Sequence, residues 1–180
     1  MLVQATSLNN NAVRSLEDRQ IVGRINDLIV DPKNGQILAL VLSKIWGMPK
    51  VISPMDIIGF SPGIVIIKNR DSILSIKDIV RAWEVWKQKI HIIGSTCKTE
   101  SGKILGNIED YLIDLKTMTI IKYYISGNHI LSPFAPNRII LASKTIKIKK
   151  DLILVQDEEK QMSEKEIAKA STDVAKVTNT

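Results

Sequence analysis

The chain has 180 residues, a formal net charge of +6 and 44 % apolar residues, the composition of a folded globular protein. No apolar run approaches the ~20 residues of a membrane helix, and the opening MLVQATSLNNN lacks the basic start and long apolar stretch of a signal peptide. The single cysteine, Cys97, excludes an internal disulfide framework, fits a reducing cytoplasm and, in its mixed surroundings, is expected to be half-buried and structural.

The positive charge belongs to the body of the chain. Residues 157–180 carry Asp157, Glu158, Glu159, Glu164, Glu166 and Asp173 against Lys160, Lys165, Lys169 and Lys176, a net of −2, so residues 1–156 hold +8. Ile, Leu and Val dominate, with only three Trp, three Tyr and two Phe. Branched aliphatics restrict χ1 and suit a pleated surface, so the composition leans towards β-structure.

In chain order, Ser7–Asn11 is polar and turn-rich, and Ala12–Leu16 has the length of a short strand. A long strand is expected over Ile21–Asp31. Its apolar residues change parity midway: Ile21, Gly23 and Ile25 share one face, Leu28 and Val30 the other. A parity switch at Asn26–Asp27 is what a β-bulge produces. Asp31-Pro32-Lys33-Asn34-Gly35 is a turn: Pro32 fixes φ, Asp31 accepts local N–H groups and Gly35 can take positive φ. The strand that follows, Gln36–Ser43, is apolar on both sides and should be covered twice. Lys44–Lys50 is a loop with Trp46 at its tip, followed by Val51–Ile52 and Ser53-Pro54-Met55-Asp56. A hairpin, Ile57–Phe60 and Ile64–Lys68 around Ser61-Pro62-Gly63, closes the unit.

Residues 75–89 then read as a helical connector. Ser75 and Asp78 have capping-box spacing, and Ile76, Ile79, Val80, Trp83, Trp86 and Ile90 line one helix face. Trp83 is expected to be buried on it, and strand propensity resumes over Ile90–Ile93.

The pattern of Ile21–Leu42 returns 83 positions later as Ile104–Ile125. Ile21/Ile104, Gly23/Gly106, Ile25/Ile108, Asp27/Asp110, Asp31/Asp114, Lys33/Lys116 and Ile37/Ile120 are identical. A repeat of this length means two copies of one supersecondary unit. The parity switch recurs at Glu109–Asp110. The second turn, Leu115–Thr119, lacks the glycine and is expected to close with different geometry. Beyond it, Ile130-Leu131-Ser132-Pro133 leads into the excursion Phe134–Arg138, and a last hairpin joins Thr145–Ile148 to Leu152–Gln156. The organisation expected is mainly β: a first barrel over 1–74, the connector over 75–89, a second barrel over 90–156 and a charged tail over 157–180. In the tail, Ile167, Ala170, Val174 and Val177 make a stripe too thin to bury much, so a frayed helix or disorder is expected.

These residues resemble the PRC-barrel family: the IVGRINDLIVD stretch, the Asn-Gly turn, the apolar Gln36–Leu42 strand, Ser53-Pro54-Met55-Asp56-Ile57, and in the second copy Thr99–Gly106. The resemblance implies small, strongly bent β-barrels in tandem, whose common thread is protein–protein contact without shared catalytic residues. One family member acts in ribosome maturation and another in a photosynthetic reaction centre.

No constellation declares a reaction. Asp27, Asp31, Asp110 and Asp114 sit where bulges and turns need acceptors, at most two per unit. His91 and His129 have no partner at metal-ligand spacing. Ser126-Gly127-Asn128-His129 is no nucleophile elbow, and the isolated glycines make no phosphate loop. No catalytic residue, cofactor or metal ligand is assigned. The expected role is a non-enzymatic cytoplasmic interaction or assembly module, anchored on Trp46, Met48 and Phe134, since Trp is enriched at interface hot spots. The alternative is an RNA- or ribosome-associated factor using Lys144, Lys147, Lys149 and Lys150, although no aromatics interleave there for base stacking. A homo-oligomer is left open.

Overall fold

The computed structural model describes residues 1–43, 47–127 and 138–157. Trp46, Phe134, the Ile130–Pro133 stretch and the tail beyond Asp157 lie outside these. The elements in chain order are β1 (Leu2–Gln4), α1 (Ala5–Leu8), β2 (Ala12–Ser15), β3 (Ile21–Val30), β4 (Ile37–Leu42), β5 (Lys50–Ile52), β6 (Ile57–Ser61), β7 (Ile64–Ile67), β8 (Ile73–Ser75), α2 (Val80–Lys87), β9 (Thr96–Thr99), β10 (Ile104–Asp114), β11 (Thr119–Ser126), β12 (Arg138–Leu141), β13 (Thr145–Lys149) and β14 (Leu152–Val155). Among the described residues no helix is long and apolar enough to cross a membrane.

The strands form two seven-stranded sheets. The first runs β6-β7-β2-β3-β4-β5-β8, the second β13-β14-β9-β10-β11-β12, with β1 added to β10. The same six-strand order therefore occurs twice. Each copy has one parallel pair at the same place: Ala12 lies opposite Ile64 in the first, and Thr96 opposite Leu152 in the second. Neither sheet closes on itself among the described strands, so the closed barrels expected from the sequence are not seen.

The two parity switches are bulges. The β3–β4 register shifts between Ile25 and Asp27, and the β10–β11 register shifts between Ile108 and Asp110. The bulge turns the strand so that its second half faces a different layer. β4 is covered on both sides, as its composition required. Leu40 and Leu42 lie in a core that runs through both sheets, while Ala39 and Val41 lie in a smaller core beneath α2. The aspartates serve the bulges and turns. Asp27 and Asp110 each accept the next residue's N–H, from Leu28 at 2.7 Å and Tyr111 at 2.8 Å. Asp31 and Asp114 each accept an N–H two residues on, from Lys33 and Lys116, both at 3.0 Å.

Four expectations need correction. The second β3–β4-type turn does not use different geometry. Gly35 has φ +72°, and Met118, its counterpart, has φ +52°. Met118 is buried, so side-chain burial offsets the cost of a left-handed non-glycine residue. The connector's buried face is rotated from the expected stripe. Ala82 and Val85 are buried, Val80 is 70 % exposed, and Trp83 and Trp86 are half-buried at the flanks. The helix is only eight residues long, because Ile76–Asp78 forms a separate 3-10 turn, with the Asp78 carboxylate accepting the Ser75 N–H at 2.8 Å. Ile90–Ile93 is not a strand. Lys89 at φ +52° and Gly94 at φ +85° fold the backbone so that Ile92 is buried in the core and Ile90 packs against it only in part. Cys97 is fully buried rather than half-buried, and burial pushes its thiol pKa up to about 11.

The two sheets meet at their repeated turns. Gln36 bridges Thr119, the Ile37 N–H donates to the Met118 carbonyl at 2.7 Å, and the Ile120 N–H donates to the Gly35 carbonyl at 3.0 Å. The relation is self-complementary, since each turn presents the same backbone groups to the other. The segments leading into each sheet also cross to the opposite one. β1 pairs with β10, and both the backbone N–H and the hydroxyl of Thr6 donate to Asp110.

Candidate functional site

Helix α2 leans on the outer face of the first sheet through Ala82 and Val85, which pack with Ile29, Ala39, Val41 and Val51. Its orientation is fixed by Arg81. The guanidinium donates to both carboxylate oxygens of Asp31, Nε to Oδ2 at 2.9 Å and Nη2 to Oδ1 at 2.7 Å. This two-point, charge-assisted contact sets angle as well as distance. The Arg81 hydrogen bonds, followed by the Lys33 N–H, outweigh burial and hold the Asp31 carboxyl below the usual carboxylate range.

Beyond this tether the helix and β3 diverge and leave a cleft of about 480 Å³. Leu28 and Ile29 of β3 form one wall; Trp83, Val85, Trp86 and Ile90 form the other. Asp27 and His91 stand together at the cleft, His91 Nδ1 lying 3.7 Å from Asp27 Oδ2, and Lys87 and Lys89 also line it. The Trp83 ring is flanked by two ammonium groups, Lys77 at 5.7 Å and Lys87 at 5.5 Å from its centroid. Such contacts hold a half-buried indole in place and contribute about 0.5–1 kcal/mol each. The cleft thus combines an apolar, aromatic wall with a basic rim. It suits an apolar side chain with a carboxylate beside it.

Among the described residues no three His, Cys, Asp or Glu groups come together as a metal site. Cys97 does not line the cleft and carries its proton at neutral pH.

Of the sequence-based site residues, those within the described regions do not line the cleft. Met48 is 43 % exposed but does not line the cleft. Trp46 and Phe134 lie outside the described residues. Lys144, Lys147, Lys149 and Lys150 are all exposed around β13 and its turn, also away from the cleft. What sequence reasoning missed is the pair Trp83 and Trp86, assigned there to a buried stripe. The signal was present in the charges: Lys77, Lys87 and Lys89 surround the two indoles, which a fully buried helix face would not tolerate.

Comparison with known proteins agrees with the first sheet's architecture. Residues 2–78 match the family model for the PRC-barrel domain. No curated protein matches the chain. That match runs from β1 through the 3-10 turn ahead of α2, and it shows a PRC-barrel domain over residues 2–78 of the chain.

Proposed function

We propose that this protein is a non-catalytic interaction or assembly module, built from two PRC-type domains in tandem with α2 as the linking helix. The second domain is supported by the recurrence of the six-strand order, with its parallel pair and its bulge in the same places. The observation that carries the functional reading is the cleft between α2 and β3. Two half-buried tryptophans stand in it beside Lys87 and Lys89, ready to receive an apolar, acidic segment of a partner protein. Trp in a partly desolvated pocket is the residue type that dominates interface energetics.

The alternative, an RNA- or ribosome-associated factor, draws support from the exposure of Lys144, Lys147, Lys149 and Lys150. The two readings separate by experiment. The immobilised full chain is offered nuclease-treated extract at low and high salt, alongside Trp86→Ala and Lys147→Ala. A protein retained by the wild type, depleted about tenfold or more by Trp86→Ala (~1.4 kcal/mol) and little affected by Lys147→Ala, is the expected result. Retention that vanishes with nuclease, falls steeply with salt and depends on Lys147 supports the nucleic-acid reading instead. Circular dichroism of each variant establishes that it is folded.

A further inference from the structure

The repeat allows one half of the molecule to be read against the other along its two longest strands. β10 carries β1 on the edge it shares with β9, with Val3 opposite Ile113 and Gln4 opposite Leu112. The contact is pinned at both ends. The Leu115 N–H donates to the Met1 carbonyl at 2.9 Å, the Met1 ammonium lies 3.6 Å from Asp114, and the Thr6 N–H donates to Asp110 at 3.2 Å. The matching positions of β3 and its turn are Val30 and Ile29 in the middle, with Asp31 and Asp27 at the ends. Among the described residues no strand pairs with that part of the β3 edge, since β2 pairs only with Ile21, Gly23 and Arg24. The stretch standing as far ahead of β9 as β1 stands ahead of β2, residues 86–88, lies at the end of α2 instead. The slot that β1 fills on β10 is therefore, on β3, the cleft walled by Asp27, Leu28 and Ile29.

Granted the cleft as a partner site, we infer that it takes an extended segment of the partner protein as an added strand, antiparallel to β3 over Ile29 and Val30, with a serine or threonine bonded to Asp27. Pairing with a free edge supplies backbone hydrogen bonds, and alternate side chains supply selectivity. Three features define the segment. It is short, because Arg81 on Asp31 takes the place of the Met1 ammonium on Asp114, and Pro32 stands where Leu115 donates and has no N–H to give. It carries a hydroxyl, because the two aspartates are set alike. Asp27 Oδ1 accepts the Leu28 N–H as Asp110 Oδ1 accepts that of Tyr111, so Asp27 Oδ2, 3.7 Å from His91, stands where Asp110 Oδ2 receives the Thr6 hydroxyl. Its remaining chemistry follows from the lining: Trp83 and Trp86 favour an apolar side chain, and Lys87 and Lys89 a carboxylate.

The probe is a capped peptide with the sequence of residues 2–8 followed by two glutamates, added to the full chain and observed by NMR. Expected are cross-peaks from the peptide backbone to the Ile29 and Val30 amides in antiparallel order. Binding should weaken at least tenfold when the peptide amide facing Val30 is N-methylated, and at least fivefold when its threonine is replaced by valine. Binding that depends on Trp86, shown with Trp86→Ala, but ignores N-methylation and gives no backbone cross-peaks overturns the added strand and leaves the cleft as a partner site. Cross-peaks to Ile113 in place of Val30 mean that the peptide displaces β1, and overturn it too. A chain that ignores the peptide yet retains a protein from extract through Trp86 overturns the added strand alone; one that does neither overturns the partner site with it.

Discussion

Gly106 has φ +139°, and a Cβ there would overlap the carbonyl oxygen of Ser126 on the adjacent strand. Its repeat partner Gly23 does not have positive φ, and an added Cβ would meet only the Leu42 Cδ1 at 3.2 Å, the movable tip of a side chain. Identical residues at matched positions therefore do different work. Gly106→Ala is expected to destabilise the second sheet by more than about 4 kcal/mol, the range of backbone clashes and special-φ losses. Gly23→Ala should cost about 1 kcal/mol or less. Urea melts of the two variants check the contrast, and equal costs would show that the β10–β11 approach is looser than described. Gly35 is an intermediate case. A Cβ on it lies 3.7 Å from the Ile120 Cβ, an ordinary contact, so the cost of Gly35→Val is conformational, about 1–2 kcal/mol for a β-branched residue at φ +72°. Gly35→Asn should be nearly neutral, because asparagine tolerates the left-handed region and Met118 already occupies it in the sister turn.

At the scale of elements, the Asp31–Arg81 contact decides where α2 lies. Asp31→Asn removes a two-point charged contact and should cost about 1–3 kcal/mol at pH 7. The sign with pH follows from the carboxyl: its folded pKa is held below its unfolded value by Arg81, so the stabilisation is complete above the unfolded value, near 3.8, and is lost as pH falls through the folded one. Stability measured from pH 7 down to 3 should thus show the wild type and Asp31→Asn converging in the acid range. A constant gap would mean that the contact is steric rather than charged. Trp83→Ala illustrates the same helix from its exposed side. Full burial would make the substitution cost ~3–5 kcal/mol; half-burial reduces it to about 1–2 kcal/mol. Much of the fold was legible because local chemistry carried it: the parity change at Asn26–Asp27, the Asp-Pro-x-Asn-Gly turn and the doubly apolar Gln36–Leu42 each have one physical solution. The rotation of α2 was not legible, since Ile79, Val80 and Trp83 satisfy helical spacing whichever way the helix is turned. Only the distant Asp31 chooses, and a pairing across fifty positions leaves no mark on periodicity. The cleft escaped for the same reason, because it exists only where β3 and α2 diverge.

For the whole molecule, the governing fact is that one apolar core contains residues of both sheets, from Val13, Leu40 and Ile67 to Ile113, Tyr123 and Ile153. Cross-strand bonding at Gln36–Thr119 and the passage of β1 onto β10 bind the halves further. Neither half then offers a complete core alone, and small units of this size gain most of their stability from such sharing. The aromatic residues allow a direct measurement. All three Trp, at positions 46, 83 and 86, precede β9, and all three Tyr, Tyr111, Tyr123 and Tyr124, lie in β10 and β11. Trp fluorescence reports the first half, and the near-ultraviolet tyrosine signal is confined to the second. Urea unfolding followed by both should give coincident transitions with one midpoint, the signature of a single cooperative unit. Met118→Asp, which puts a carboxylate into the buried seam between the turns, should weaken that coupling and separate the midpoints, the Tyr signal unfolding first. Two separate transitions in the wild type would show that the sheets fold independently and that the shared core contributes little.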